Sequence, residues 1–243
     1  MATRKRKRGG EWTLQDAYDH LTSVDERFIP IIQEYGQQTF YRKKRDSSVS
    51  SFYELTKIIV FQQLSGSIAD KILHRVLDAF GAAEGTFTPD MVLNAKVEIV
   101  LAQGKKKVLV NQKESGLSES KSKYLMSLAH HFSDPTRLKG VALEDLDDEA
   151  LESKLLAVKG LGTWSVHMFM IFHLRRPNVL AIGDLGIRNG MTEFFGLPKK
   201  ALQGNDTQTL QKIQELSAHW KPYASVACSF MWKLADAAKT RQK

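Results

Sequence analysis

The chain has 243 residues, of which 42% are hydrophobic, so one large domain or two small ones can form around a sizeable core. Its net charge of +8 equals the combined charge of two local runs, Arg4–Arg8 and Lys105–Lys107, so composition alone does not establish a nucleic-acid-binding surface. The single cysteine, Cys228, excludes an intrachain disulfide, a cysteine-ligated iron–sulfur cluster and a Cys-based zinc site. No apolar run reaches the roughly 18 residues that a membrane span needs.

The first ten residues, MATRKRKRGG, form a basic segment that is expected to be disordered, and residues 11–243 are predicted to form the folded domain. No apolar segment follows the basic residues, so a secretory signal is not expected. Arg4–Arg8 fit a nuclear-targeting or nucleic-acid-contacting tail and fit equally well a solvated chain end. In a eukaryotic cell the first interpretation predicts a nuclear location.

Apolar residues at helical spacing predict an all-α fold with about ten helices. The predicted helices lie, in chain order, in TLQDAYDHLTSVD, SSFYELTKIIVFQQLS, SIADKILHRVLDAFG, SESKSKYLMSLAHHF, LDDEALESKLLAV, GTWSVHMFMIFHL, TLQKIQELSAHW and SVACSFMWKLADAAK. Ser50 or Ser51 is the predicted N-cap of the second helix, and Gly81 is the predicted stop of the third. GTWSVHMFMIFHL is apolar nearly all round, which predicts a buried central helix. NVLAI is too isolated to build a sheet, and GKKKVLVNQKESG is the best loop candidate.

The segment VKGLGTW places two glycines around one apolar residue between two predicted helices. Glycine permits a positive φ and a close backbone approach. A helix that opens directly after such a turn leaves main-chain N–H groups free to bind a phosphate. An isolated glycine pair of this kind is more often a plain helix–turn–helix corner.

Asp184 is a lone acidic residue in IGDLGI, just after the predicted buried helix. Aspartate is a favoured N-cap, and LGIRNGM is able to begin a helix there. A capping carboxylate that faces a cleft is also able to meet a substrate, so the two roles are compatible.

Five motifs occur in order along the chain: FQQLS at 61–65, GLSESKSKYL at 116–125, GLGTWSV at 160–166, GDLGI at 183–187 and WKPYASVA at 220–227. Together they resemble the helix–hairpin–helix DNA glycosylase superfamily, most closely its alkylbase, or 3-methyladenine, branch. In that family an essential aspartate follows the hairpin by about as many residues as the 22 that separate Asp184 from Gly162 here. The chain departs from the family pattern at Lys159, commonly proline, at Ala224, usually arginine, and at Lys105–Glu114, which looks like an insertion.

The resemblance implies a compact helical fold in which two subdomains flank a DNA-binding active-site cleft, with the hairpin at residues 158–162. It implies that main-chain N–H groups of the hairpin grip a backbone phosphate and that a second segment wedges into the space left by an extruded base. The residues implied to bind DNA are Gly160, Leu161, Gly162, Thr163, Gln63, Leu64 and Ser65. Asp184 is the implied catalytic carboxylate. The implied base-pocket residues are Trp164 and Met168, with Trp220 and Tyr223 as weaker candidates for which core packing is the alternative.

The implied partner is double-stranded DNA containing damaged bases, and the chain is expected to act as a monomer away from membranes. No cofactor is required and no metal site is predicted; a monovalent cation on the hairpin carbonyls is left open by the resemblance. Trp164 stands where backbone-cutting members of the superfamily carry a lysine, which implies a monofunctional enzyme. His167 and His173, six residues apart, are interpreted as satisfied polar groups and not as a metal pair.

The favoured function is excision of alkylated purines such as 3-methyladenine and 7-methylguanine in base excision repair. A second enzymatic interpretation keeps the chemistry and changes the base to hypoxanthine or ethenoadenine. The alternative from another class is a non-catalytic damage-sensing module that binds DNA through the hairpin alone. Asp184 separates these interpretations, because a pure phosphate-binding module has no need of a carboxylate that repels the DNA backbone.

Overall fold

The computed structural model describes residues 12–42, 48–94 and 115–241. In these ranges the chain forms eleven α-helices and no strand, which confirms the predicted all-α fold. The helices are α1 (Leu14–Val24), α2 (Phe28–Tyr35), α3 (Ser51–Phe61), α4 (Gly66–Ala79), α5 (Pro89–Leu93), α6 (Glu119–Ser133), α7 (Asp148–Leu156), α8 (Thr163–Met168), α9 (Leu185–Phe194), α10 (Thr207–Ser217) and α11 (Ala224–Arg241). The basic segment 1–10 and the Lys105–Glu114 insertion lie outside the described residues.

The chain divides into two compact units. The terminal unit contains residues 1–44 and 175–243, with helices α1, α2 and α9 to α11. The central unit contains residues 45–174, with helices α3 to α8. Each unit has its own apolar core, and each carries part of the residue set that the sequence analysis selected.

The core of the terminal unit is aromatic. Phe28, Trp220 and Phe230 are fully buried or nearly so, and Phe28 lies 4.6 Å from Phe194 between ring centroids. Helices α9 and α11 pass so close that a Cβ atom at Gly190 would overlap the main-chain carbonyl of Met231. Only glycine leaves room for this approach, so Gly190 fixes how the helix that follows Asp184 packs on α11.

Two helix ends of the central unit, at Ser50 and Gly81, are confirmed, and Asp147 is a further cap. Ser50 caps α3 by accepting a hydrogen bond from the Tyr53 N–H at 3.1 Å. Gly81 follows α4 with a φ of +64°, the left-handed conformation that commonly ends a helix. Asp147 caps α7 through the Ala150 N–H at 2.8 Å, which places a carboxylate at the positive end of the helix dipole.

The predicted buried helix after the hairpin is correct in position but not uniform in geometry. α8 runs as an α-helix over Thr163–Met168 and continues as one π-helical turn over Phe169–His173. Most of this segment is buried, although Thr163 at its start and Phe172, at 42%, are exposed. NVLAI forms no strand; Val179 is instead held by Ser225, whose Oγ accepts from the Val179 N–H at 2.7 Å. None of the helices in the described ranges is long and apolar enough to cross a membrane.

Candidate active site

The hairpin at residues 158–162 requires a glycine at its centre. Gly160 has a φ of +98°, and a Cβ atom there would overlap the ring of Tyr124 on α6. Next to it, Leu161 is 5% exposed, and its N–H donates to the Val158 carbonyl at 3.1 Å. The side chain of Leu161 therefore anchors the turn in the core of the central unit and is not exposed for a contact with DNA.

The exposed edge of the hairpin is the start of α8. Gly162 is the N-cap of this helix, and both Gly162 and Thr163 are exposed. The first N–H groups of an α-helix have no acceptor within the helix, and an external acceptor is able to satisfy them. A Cβ atom at Gly162 would meet nothing within 4 Å, and the absence of a side chain leaves the backbone open to close approach.

The predicted wedge residues form the connection between α3 and α4, here called the wedge turn (Gln63–Ser65). Gln63 has a φ of +58°, an uncommon conformation for a residue with a side chain. Leu64 is 36% exposed, and Gln63 and Ser65 are exposed as well. A strained turn that presents an amide and an apolar side chain to solvent has no core-packing purpose, and this fits a surface that acts on a partner.

Three central-unit residues that the sequence analysis did not select hold these two features. Gln62 donates through Nε2 to the Gly160 carbonyl at 2.8 Å and to Ser165 Oγ at 3.0 Å. Lys121 donates to the carbonyls of Val60 and Gln62, each at 2.7 Å. Burial lowers the pKa of Lys121. Tyr124, one turn along α6, packs against Gly160. Lys121 and Tyr124 belong to the GLSESKSKYL motif, and that motif was the feature of the sequence from which they could have been selected.

In the terminal unit, Asp184 is the N-cap of α9, as one of the two sequence interpretations predicts. Its Oδ1 accepts from the Ile187 N–H and from the Trp232 indole Nε1–H, each at 2.9 Å. Trp232 lies 48 residues later on α11 and was missed by the sequence analysis. Gly186, two residues after Asp184, makes room for this contact, because a Cβ atom there would lie 2.8 Å from Cδ1 of Trp232. The carboxylate is therefore held in one orientation by two donors from different helices.

A buried arginine holds the backbone around Asp184. Arg188 is 5% exposed and donates through Nε to the Ile182 carbonyl. Its Nη1 donates to the Gly204 carbonyl at 2.8 Å and to Asn205 Oδ1 at 3.0 Å. Because a buried cation needs several acceptors, this network ties the segment before Asp184 to the loop before α10.

Comparison with known proteins identifies the chain's relatives. A family model described as the HhH-GPD superfamily base excision DNA repair protein matches residues 56–219, which include the wedge turn, the hairpin and Asp184. The chain belongs to this superfamily. The predicted alkylbase branch is confirmed by a relative named DNA-3-methyladenine glycosylase from Saccharomyces cerevisiae, 30% identical over 90% of this chain and 79% of the relative.

Solved structures agree with this assignment. A DNA-3-methyladenine glycosidase from Bacillus halodurans is 26% identical, with a TM-score of 0.69 over 92% of this chain and 91% of that one. The 3-methyladenine DNA glycosylase of Schizosaccharomyces pombe, in complex with abasic DNA, is 25% identical, with a TM-score of 0.66 over 90% of this chain and 95% of that one.

The four base-pocket candidates of this superfamily member lie in different surroundings. Trp164 and Tyr223 are half-buried, and Tyr223 packs on the rings of Trp12 and His20. Met168 is 6% exposed and lies in the core of the central unit. Trp220 has no exposed surface and stacks on Phe195 at 6.0 Å. For Trp220 the alternative of core packing is the correct one, because its ring is enclosed by other aromatic side chains.

The two histidines behind the hairpin differ. His173 is satisfied as predicted: its Nε2 lies 3.3 Å from Ser51 Oγ, and its ring packs on Phe169 at 5.0 Å. For His167 the prediction is wrong in part, because its Nδ1 is buried without a hydrogen-bond partner while Nε2 lies 3.7 Å from Glu152. Burial lowers the pKa of His167, and Glu152 opposes the shift. Among the described residues no cluster of His, Cys, Asp and Glu is arranged to hold a metal ion.

Proposed function

We propose that this chain is a monofunctional DNA glycosylase that extrudes alkylated purines from duplex DNA and hydrolyses their N-glycosidic bonds. 3-Methyladenine and 7-methylguanine are the expected substrates. The observation that carries the proposal is the carboxylate of Asp184, held by Ile187 and Trp232 in a chain of the base excision repair superfamily. Two relatives from different organisms that carry the name DNA-3-methyladenine glycosylase support the choice of substrate class.

DNA binding is assigned to the central unit. The hairpin offers main-chain N–H groups at the exposed start of α8, where a phosphate is attracted by both these donors and the helix dipole. The wedge turn would fill the gap left in the stack, because extruding a base costs a few kcal/mol of lost stacking and pairing. Leu64 offers an apolar surface for this purpose and Gln63 offers hydrogen-bonding groups. A monovalent cation on the remaining hairpin carbonyls would add to phosphate binding.

The chemical step is assigned to Asp184. A purine methylated at N3 or N7 is already cationic, so the base leaves with the bonding electron pair and becomes neutral without a strong general acid. The sugar then carries an oxocarbenium-like charge, which a fixed carboxylate stabilises. Water adds its oxygen to C1′ and releases one proton, leaving an abasic site. The half-buried ring of Trp164 would attract the cationic base by about 0.5–2 kcal/mol.

Three further assignments belong to the proposal. The enzyme leaves the backbone uncut, since Trp164 occupies the position at which lyase members of the family carry lysine. It acts as a monomer on damaged duplex DNA. In a eukaryotic cell it is located in the nucleus, directed there by the basic run Arg4–Arg8.

The deciding experiment measures release of free base from methylated duplex DNA by chromatography, with the wild type beside Asp184→Asn. Asparagine keeps an oxygen for the Ile187 and Trp232 donors, so we expect the fold and binding to abasic-site DNA to be retained. Release of 3-methyladenine should fall at least roughly 100- to 1000-fold, the loss typical when a transition-state charge loses its partner. Asp206→Asn is the matched control, since Asp206 caps α10 by accepting from Thr209 N–H at 2.9 Å and lies in an exposed position.

Two outcomes would contradict the proposal. Equal release by Asp184→Asn and wild type would remove Asp184 from the mechanism. No release by the wild type, with tight binding to damaged duplex, would favour the damage-sensing module. Testing hypoxanthine and ethenoadenine duplexes in parallel separates that module from a glycosylase with another substrate.

A further inference from the structure

Gln62 links two segments of the central unit that the proposed function assigns to different tasks. It directly precedes the wedge turn, yet its side chain reaches the hairpin 98 residues later in the chain. Its Nε2 donates to the Gly160 carbonyl at 2.8 Å and to Ser165 Oγ on α8 at 3.0 Å. A displacement of the hairpin is therefore opposed by the residue directly before the wedge turn.

Lys121 fixes the other side of Gln62. The carbonyls of Val60 and Gln62 belong to the end of α3, where a helix has no internal donors for its last carbonyls. Lys121 Nζ supplies a charged donor to both at 2.7 Å. The main chain of Gln62 is thus anchored to α6 while its side chain is anchored to the hairpin.

The same face of α6 also holds the hairpin directly. Tyr124, three residues after Lys121, packs against Gly160. Ser127, three residues further on, accepts from the Lys159 N–H through Oγ at 3.2 Å. Residues at this spacing share one face of a helix. One face of α6 therefore touches the end of α3 and two residues of the hairpin.

We propose that Gln62 and Lys121 are positioning residues that lock the wedge turn to the hairpin, so that gripping a DNA phosphate sets the position of the wedge in the duplex. The inference rests on the proposed function for its consequence in catalysis, and on the contacts above for the lock itself. A wedge that is free to shift by about an ångström would stabilise the extruded state poorly, because catalysis depends steeply on such placement.

The lock is tested first on the full chain without DNA, by hydrogen–deuterium exchange. Gln62→Met removes the amide donor at similar length, and Gln62→Glu replaces it with an acceptor that the Gly160 carbonyl repels. We expect each variant that folds to exchange at least about 5-fold faster both at residues 61–67 and at 158–165, since local opening of the two segments is coupled. Lys121→Met should act likewise. Lys123→Met is the matched control, because Lys123 lies two residues away on α6 and its partner is the exposed Glu119.

Loosening of only one segment, or equal loosening by the control, would overturn the lock. If both Gln62 variants unfold, the milder Ser165→Ala, which removes one of the two acceptors of Gln62, decides by the same measurement.

The consequence for catalysis is tested by a double-mutant cycle with Gln63→Ala, read by single-turnover base release and by the fluorescence of 2-aminopurine placed beside the lesion. Gln62→Met alone should slow release roughly 10- to 100-fold and reduce the flipping signal, with duplex affinity within about 3-fold of wild type. In the Gln63→Ala background the same change should slow release by less than about 3-fold, because coupled residues are not additive. Additive effects, or an unchanged flipping signal, would overturn the positioning role.

If the wild type releases no base, the proposed function fails, while the exchange experiment still decides whether Gln62 and Lys121 lock the wedge turn to the hairpin.

Discussion

The proposed acid and the proposed phosphate grip are fixed by different physical means in the two units. Asp184 in the terminal unit is oriented by directional hydrogen bonds from Ile187 and Trp232 to its carboxylate. The hairpin in the central unit combines a steric fit, in which Gly160 lies against Tyr124, with the hydrogen bond that the Gly160 carbonyl accepts from Gln62. A carboxylate that stabilises developing charge needs a defined direction, whereas a backbone that binds phosphate needs exposed N–H groups on a rigid turn. The comparison teaches that loss of a hydrogen-bond donor should harm the first, whereas the second should respond to a change of volume as well.

Both units nevertheless depend on one glycine at a close approach, and the two glycines face different neighbours. A Cβ atom at Gly190 would overlap a main-chain carbonyl, which moves only with its helix. A Cβ atom at Gly160 would overlap Tyr124, where Cγ moves with the side-chain rotamer but Cβ is fixed by the backbone of α6. The two substitutions to alanine therefore compare a main-chain obstacle with an obstacle that lies partly in a side chain.

The largest expected effect is that of Gly190→Ala on stability. Separating α9 from α11 disturbs the tightest helix pair of the terminal unit, and we expect a loss of roughly 3 kcal/mol or more in the free energy of unfolding. Denaturant titration of the full chain measures it. Gly183→Ala is the control, since a Cβ atom there would meet nothing within 4 Å. Equal stability of the two variants would show that α9 and α11 do not approach closely at Gly190.

Gly160→Ala should destabilise the protein less, by about 1–3 kcal/mol, and should also weaken binding to duplex DNA. The neighbouring Gly162→Ala has no overlap, so its unfolding free energy should fall by no more than about 1 kcal/mol, the loss expected when alanine replaces glycine at an N-cap. Tyr124→Ala should cost less stability in the Gly160→Ala background than in the wild type, because it removes Cγ and Cδ2 of Tyr124, two of the three atoms that the added Cβ overlaps, while Cβ of residue 124 and the φ of +98° stay unfavourable. Equal costs in the two backgrounds would mean that Tyr124 is not the source of the strain.

The same contrast explains what the sequence predicts well. Apolar spacing and capping residues are local signals, and they located helices such as α3 with its cap Ser50 and α4 with its stop near Gly81. The hairpin and Asp184 were selected for the same reason, since each lies in a short motif. The short helices α2 and α5 carry too few turns to show a period, and the π-helical turn at Phe169–His173 lies in a segment that is apolar all round.

The contacts that position the site residues are not local. Trp232 meets Asp184 across 48 residues, and Gln62 meets Gly160 across 98. No periodicity encodes such pairs. Trp220 shows the converse limit: its motif position suggested a pocket wall, but the rings of Phe28, Phe194 and Phe195 enclose it. The position of an aromatic residue in a functional motif does not show whether its ring lies in the core or faces a pocket.

A smaller effect, on the rate of base release, is expected when Asp184 loses the hydrogen bond from Trp232. Trp232→Phe removes the indole N–H from Asp184 and keeps an aromatic ring on α11. We expect base release to slow by roughly 10-fold, the worth of one charge-assisted hydrogen bond of about 1.5 kcal/mol, with binding to abasic-site DNA unchanged. In the Asp184→Asn background the same substitution should change the residual rate little. A full 10-fold loss in that background would mean that Trp232 acts on the base directly and not through the acid.

The smallest expected effect concerns His167 on α8. Its hydrogen-bonding groups are less well satisfied than those of the buried Arg188 near Asp184. Arg188 has several oxygen acceptors, whereas Nδ1 of His167 has none. Burial, opposed in part by Glu152, holds the folded pKa of His167 below its ordinary value of 6.5. The unfolded chain therefore binds more protons than the folded one between that lowered pKa and about 6.5. The free energy of unfolding should be fully retained above this window and should fall as pH falls through it.

His167→Gln should flatten this pH dependence, because glutamine does not titrate. Thermal or denaturant unfolding at several values from below pH 6 to above pH 7 measures the slope for each protein. His130→Gln, at an exposed position on α6, is the control and should keep the slope of the wild type. If His167→Gln keeps that slope as well, the imidazole is solvated in the folded protein and α8 behind the hairpin is more open than its buried Nδ1 indicates. The contrast with the well-satisfied Arg188 network would then disappear.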